Sequence, residues 1–94
     1  MATVYILYSS NLNKFYVGSC VDLQVRLNDH RSKRIIDGFT AKADDWELFF
    51  LIEELEYKQA RKVESHIKRM KSKQYILNLK KYEELTGKLV EKYK

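Results

Sequence analysis

Two short runs of aromatic and aliphatic residues, separated by residues that favour a turn, constrain the start of this chain most. The first run is residues 4–8 and the second is residues 15–18, and the residues between them are mostly Ser, Asn and Lys. This pattern predicts an antiparallel hairpin. It leaves the register open, because a slip by one residue exchanges the two faces. Registers that place Tyr5 and Tyr16 on one face make their phenol groups near neighbours.

The segment after the hairpin predicts a helix over residues 20–31. Ser19 and Asp22 match a capping box, in which a serine hydroxyl and an acid three residues later satisfy amide groups at a helix start. The apolar stripe of this helix has the spacing i, i+3, i+4, i+7 and comprises Leu23, Arg26, Leu27 and His30. Two of these four side chains are cationic or titratable.

The second half predicts one strand and two helices. The continuous apolar run at residues 46–52 is typical of a strand buried on both faces, in the middle of a sheet. Helical spacing predicts a helix over residues 57–71 and another over residues 72–86, which Gly87 ends. The second of these helices is expected to bury Ile76, Leu79 and Tyr82. The element order is therefore β-β-α-β-α-α, an α+β fold.

The length of 94 residues predicts one domain, residues 1–94, with its core over about residues 3–86. This excludes a multidomain enzyme. No apolar run approaches the roughly 20 residues of a membrane span and the start lacks a signal-peptide pattern, so we expect a cytoplasmic protein with no membrane partner. Cys20 is the single cysteine and there are two histidines, which argues against a zinc site of Cys and His ligands.

The basic residues are segregated along the chain, which has a net charge of +5. Residues 44–56 contain six acids and no base, whereas residues 57–81 contain nine bases and one acid. The simplest interpretation is that the basic residues lie on a solvated helix surface. Their separation from the acidic segment favours contact with phosphate. The candidates for nucleic-acid binding are Lys68, Arg69, Lys71 and Lys73.

A chemically distinctive set forms if the first helix packs its stripe on the hairpin: Tyr5, Tyr16, Gly18, Arg26 and His30. Arginine is always protonated and its donors suit phosphate oxygens. A lone carboxylate such as Glu64 can hold Mg²⁺ when phosphate oxygens and water complete the octahedron. This set suits phosphodiester cleavage, with a phenol or His30 activating water, and which of the three groups is the base stays open.

Each of these residues also has a structural interpretation. Tyr5 and Tyr16 can be core residues, and Arg26 can extend its guanidinium into water at the core edge. His30 can be a hydrogen-bonded structural histidine. Glu64 can form an i, i+4 pair with Lys68, worth about 0.3–0.5 kcal/mol. His66 lies off the apolar stripe of its helix and is expected to be exposed, with no role.

The ordered set of motifs resembles the GIY-YIG nuclease superfamily. Within it, the likeness is to small single-domain bacterial members similar to the nuclease half of the incision subunit UvrC. The resemblance covers about residues 3–79, with further matches at Thr40, Trp46 and residues 64–72. Val4 replaces the glycine of the first motif and Val17 the isoleucine of the second. The motifs are Val4-Tyr5-Ile6, Tyr16-Val17-Gly18-Ser19, Asp22-Leu23, Arg26-Leu27, His30 and Glu64.

This resemblance implies a phosphodiesterase that acts on DNA with one Mg²⁺ or Mn²⁺ ion, built on a small three-stranded antiparallel sheet flanked by helices. It implies that Tyr5 and Tyr16 are the tyrosine pair, that Arg26 stabilises the transition state and that Glu64 binds the metal. It also implies that His30 takes part in proton transfer. Asn78 lies roughly where some members place a substrate-positioning asparagine, and Gly18, Ser19 and Asp22 belong to the structural motif.

The leading hypothesis is a DNA endonuclease that cuts branched, damaged or distorted DNA in repair or recombination, with a protein partner as one source of specificity. Two alternatives stay open. The first is a nucleic-acid-binding module with the same fold and no turnover. The second is a protein-interaction domain that docks a partner through its acidic and basic faces.

Overall fold

The computed structural model of the protein describes residues 1–22 and 45–94. These residues confirm an α+β fold with a three-stranded antiparallel sheet and flanking helices. Apart from residues 20–22, the helix predicted for residues 20–31 lies outside the described residues. No helix in the described ranges has the length and apolar composition needed to cross a membrane. The elements are β1 (Ala2–Ser9), β2 (Lys14–Cys20), β3 (Glu47–Leu55), α1 (Tyr57–Met70), α2 (Lys73–Lys81) and α3 (Glu83–Lys92).

The central strand of the sheet is β1, because the strand order is β2-β1-β3. The prediction that residues 46–52 form the middle strand, buried on both faces, is therefore wrong. Six of the eight residues of β1 are buried, whereas β3 leaves four of its nine residues exposed. At the edge of the sheet, β3 buries Ile52 and Leu55 in the core but leaves the Leu48 side chain 41% exposed.

The register gives the sheet two different faces. One, the helix face, packs against α1, and residues of α2 and α3 complete this main core. The core includes Val4, Ile6, Val17, Val63 and Ile67. The other, the tyrosine face, carries a second cluster of buried residues: Tyr5, Leu7, Cys20 and Trp46, with Tyr16 and Leu51 packed against it. Side chains alternate between these faces along each strand.

The capping box at Ser19 does not start a helix, because Ser19 lies within β2 opposite Val4. Cys20 is the last residue of the same strand and is buried. The predicted helix start at residue 20 is therefore wrong. The reason is that pairing with β1 holds this segment extended, and such long-range pairing outweighs a local capping pattern.

A break at Tyr82 divides the single helix predicted for residues 72–86. Tyr82 has extended backbone angles and is 51% exposed, so its predicted burial is wrong. Gly87 does not end the helix either, because α3 continues through it to Lys92. Leu89 is buried in the core and the Gln59 amide donates to the Val90 carbonyl at 3.0 Å. These contacts outweigh the cost of a helical glycine, about 1 kcal/mol.

The turn between β1 and β2 is held by the Asp45 carboxylate. Oδ1 accepts a hydrogen bond from Ser9 Oγ at 2.6 Å, and Oδ2 accepts from Ser10 Oγ and the Asn11 N–H, both at 2.9 Å. These hydrogen bonds, that of Ser9 foremost, lower the pKa of Asp45 from 3.8 to about 2. Hydrogen bonds to a charged carboxylate favour its ionised form.

Asp45→Asn is expected to lower the thermal unfolding midpoint near neutral pH. Because the folded pKa lies below the unfolded one, the stabilisation is fully present above about pH 4 and is lost as the pH falls towards 2. Circular dichroism melts of both proteins from pH 7 to pH 2 measure this. The difference in unfolding midpoint between Asp45→Asn and the wild type should disappear towards pH 2. The control Glu53→Gln, at an exposed position on β3, should have the wild-type midpoint at each pH. A gap of constant size at every pH contradicts the role of Asp45.

Candidate active site

Tyr5 and Tyr16 lie side by side on the tyrosine face, so the register, which the sequence leaves open, is one that makes the two phenol groups neighbours. Tyr5 pairs with Gly18 and Tyr16 pairs with Leu7, so the two tyrosines are diagonal neighbours on adjacent strands. Their ring centroids are 6.4 Å apart. Tyr5 is only 2% exposed, whereas Tyr16 is half-buried and meets the Trp46 ring edge-on at a centroid distance of 6.4 Å.

Gly18 is needed because the Tyr5 ring crosses directly over it. A Cβ atom at position 18 would lie 2.5 Å from Tyr5 Oη and 2.6 Å from Tyr5 Cζ, which is well inside van der Waals contact. The φ angle of Gly18 is not positive, so close approach rather than backbone conformation requires the glycine. The second motif thus fixes the position of a tyrosine from the first.

Glu64 reaches the edge of the sheet from α1, and each of its carboxylate oxygens has a protein partner. Oε1 accepts a hydrogen bond from Ser19 Oγ at 2.5 Å, and Oε2 accepts from Lys68 Nζ at 2.7 Å. The second contact confirms the predicted i, i+4 pair. The contact with Ser19 was not predicted, although the serine follows Gly18 directly in the motif.

Lys68 links the carboxylate to the tyrosine pair. Its ammonium nitrogen also lies 5.8 Å from the centroid of the Tyr16 ring. Tyr16 and Ser19 point to opposite faces of β2, so the described part of the site straddles the outer edge of this strand. The structure thus brings Tyr5, Tyr16 and Glu64 into one neighbourhood. Arg26 and His30 lie outside the described residues.

A basic groove of about 690 Å³ adjoins this edge, between β2 and the junction of α1 and α2. Its lining includes three of the four predicted nucleic-acid-binding residues, together with Lys14, which was not predicted. Lys14 opens β2 and lies far in sequence from the basic helices, so a count of charge along the chain does not reveal it. The lysines that line the groove are Lys14, Lys68, Lys71 and Lys73.

Arg69 and His66 face a different part of the molecule. The Arg69 guanidinium donates to Tyr93 Oη at 3.4 Å, and His66 Nδ1 lies 2.9 Å from the same oxygen. His66 is half-buried, so its predicted exposure is wrong. Tyr93 and Tyr75 cover its ring. Burial, followed by the charges of Lys92 and Arg69, lowers the pKa of His66.

The remaining predicted residues lie in the structure as follows. Asp22 is exposed just beyond the end of β2. Asn78 is half-buried on α2, and its Oδ1 accepts a hydrogen bond from Gln74 Nε2 at 3.0 Å within the same helix. A role for Asn78 in positioning substrate stays a prediction.

The Glu64 carboxylate is of a kind that binds Mg²⁺ in proteins, and both of its oxygens already have protein partners. In the described ranges no group of three His, Cys, Asp or Glu side chains is arranged to hold a metal ion. Mg²⁺ is commonly bound through one or two carboxylates, with water and substrate phosphate completing its shell. Glu64 supplies one such carboxylate, and the hydrogen bond from Ser19 orients it. Lys68 competes with a cation for the other oxygen.

The sequence matches a known family over most of its length. The matching family is the GIY-YIG catalytic domain, and the match spans residues 1–82. No curated protein and no solved structure matches the chain. The matched range contains both tyrosines, the glycine beneath Tyr5, and Glu64 with its partners Ser19 and Lys68. The chain therefore belongs to the GIY-YIG family of nuclease domains.

Proposed function

We propose that the protein is a DNA endonuclease that hydrolyses phosphodiester bonds with one divalent metal ion, Mg²⁺ or Mn²⁺. The observation that carries the proposal is the meeting of the Tyr5–Tyr16 pair and the Glu64–Lys68 pair at the outer edge of β2. Membership of the GIY-YIG family supports it.

The proposed reaction gives roles to the metal ligand, the arginine and the group that acts as base. Glu64 would hold the ion, and the hydrogen bond from Ser19 orients its carboxylate. A divalent ion held there would supply positive charge to the leaving oxygen. Arg26 stabilises charge on the phosphorus, and one of Tyr5, Tyr16 and His30 takes the proton from the attacking water.

The proposed substrates are branched, damaged or otherwise distorted DNA in repair or recombination. The basic residues contact phosphates and carry no base readout, so binding is largely independent of sequence. Shape or a protein partner then supplies selectivity. We expect the protein to act in the cytoplasm.

A cleavage assay tests this proposal. Purified protein is incubated with single-stranded, duplex, nicked and branched DNA in the presence of Mg²⁺, Mn²⁺ or EDTA. Arg26→Ala is expected to lower the cleavage rate about 10²–10³-fold, because a donor aimed at developing charge is lost. Arg61→Ala is the matched control, since Arg61 is exposed on α1 and donates to Tyr57 Oη. We expect it to retain wild-type cleavage.

Other outcomes distinguish the alternatives. Equal cleavage by wild type and the Arg26 variant points to a contaminating nuclease and contradicts the proposal. If the protein retains DNA in a salt-dependent way but yields no product with any metal ion, a nucleic-acid-binding module is favoured. The groove lined by four lysines is the observation that supports this alternative. No retention of DNA at low salt, together with a specific protein complex, favours an interaction domain.

A further inference from the structure

We propose that the groove between β2 and the α1–α2 junction binds the sugar-phosphate backbone of one DNA strand beside the bond to be cut. This inference rests on the proposed nuclease function for its statement about the cut bond. The binding itself can be tested without cleavage.

The lining of the groove has the chemistry of a phosphate track. Its polar side chains include four lysines, and none of its lining residues is acidic. Lysine is a compact point charge that attracts phosphate without reading the base. The floor is apolar and suits sugar carbons and base faces; it is formed by Phe15, Val17, Ile67 and Ile76.

The wall of the groove is held in place before any ligand arrives. Lys73 Nζ donates to the Asn13 carbonyl at 2.5 Å, which ties the start of α2 to the hairpin turn. Ser72 caps α2 by accepting from the Tyr75 N–H at 3.1 Å. Lys71, between the helices, has φ 48° and ψ 38°, the left-handed conformation that ends α1. A preorganised wall lowers the ordering cost of binding.

Lys68 makes the groove continuous with the candidate active site. It lines the groove, pairs with Glu64 and lies beside the Tyr16 ring, and Tyr16 itself also lines the groove. A strand that follows the lysines therefore arrives at Glu64 and Tyr16 without leaving the surface. The volume of about 690 Å³ lies within the range of small-ligand pockets, about 300–1,000 Å³. It is therefore large enough for a short stretch of one strand.

The test compares two double variants that remove the same charge. The groove variant is Lys14→Gln with Lys71→Asn, since asparagine tolerates the left-handed conformation at position 71. The control is Lys62→Gln with Lys88→Gln, because both lysines are exposed and neither lines the groove. Fluorescence anisotropy measures the Kd for a labelled single-stranded 20-mer in EDTA over a series of salt concentrations, so that no cleavage contributes.

The groove variant is expected to bind about tenfold more weakly at low salt. The slope of log K against the logarithm of the salt concentration is negative, and in the groove variant it should become shallower by about 1.4. Each phosphate that a lysine neutralises on a single strand contributes about −0.7 to this slope. The control should change both quantities much less. Equal weakening in the two variants would assign the binding to overall charge and overturn the proposal, as would unchanged binding in the groove variant.

Further measurements keep the result interpretable. Thermal unfolding midpoints check that both double variants fold. If the variant that contains Lys14→Gln is unfolded, Lys71→Asn is measured alone, and its change in slope should be about half as large. Loss of binding in the groove variant, with no cleavage by the wild type under any metal, would contradict the nuclease function and leave the groove as a nucleic-acid site. An acidic peptide that competes equally well with DNA would overturn the assignment to a DNA strand.

Discussion

Glu64→Gln is expected to lower the rate of DNA cleavage about 10³-fold while the protein stays folded. Glutamine keeps the shape of the side chain, and its oxygen can still accept from Ser19 Oγ. It removes the negative charge that holds a divalent ion and pairs with Lys68. Because Glu64 is the one carboxylate of the proposed site among residues 1–22 and 45–94, no second ligand within those ranges compensates. Single-turnover cleavage under saturating Mg²⁺ measures the loss.

The metal role of Glu64 has a readout that is independent of cleavage. Binding of Mn²⁺, followed by electron paramagnetic resonance of the free ion, should weaken strongly in Glu64→Gln. Glu84→Gln is the matched control, because Glu84 is an exposed acid on α3. It should leave both cleavage and Mn²⁺ binding at wild-type levels. Wild-type cleavage by Glu64→Gln would remove Glu64 from the proposed mechanism.

Gly18→Ala is expected to reduce cleavage at least 10²-fold and to destabilise the protein by about 1–3 kcal/mol. The added methyl group would overlap Tyr5 Oη and Cζ, so the buried Tyr5 ring must move away from β2. Movement of that ring displaces one of the three candidate bases from its place beside Tyr16. Displacements of about 1 Å in a catalytic group can cost 10²-fold in rate.

Gly87→Ala provides the matched control, since it adds the same methyl group where no atom lies within 4 Å. Replacing a glycine inside α3 should raise stability by about 0.5–1 kcal/mol and leave cleavage unchanged. Urea denaturation gives the stabilities, and initial rates on the best substrate give the activities. If Gly18→Ala cleaves DNA as fast as the wild type, the position of the Tyr5 ring does not matter to the reaction.

Local patterns in the sequence predicted the elements whose contacts are themselves local. The hairpin follows from its two apolar runs and the turn residues between them, and the helix of Glu64 and Lys68 follows from residue spacing over one or two turns. The register that makes Tyr5 and Tyr16 neighbours does not follow from the sequence. The place of a strand within the sheet is a different matter. An apolar run reports that a segment is buried, but not how many strands flank it, so residues 46–52 were wrongly placed in the centre.

The other differences arise where distant segments meet. Ser19 fits a capping pattern locally, but strand pairing across the hairpin and the Glu64 carboxylate, 45 residues away, determine its role. The groove joins Lys14 to residues more than 50 positions later. Asp45 holds a turn that lies 34 to 36 residues earlier. No periodicity within one segment carries this information.

The position of β2 at the rim of the sheet has a consequence for solubility. A rim strand offers unpaired amide and carbonyl groups to any extended chain that comes near, which is a common route to aggregation. Here the ammonium groups of Lys14 and Lys68 border that strand. Within the described part of the chain β2 pairs with β1 alone, and positive charge along its other edge would disfavour pairing with a second copy of the same strand. The lysines that would attract DNA would then also oppose edge-to-edge association.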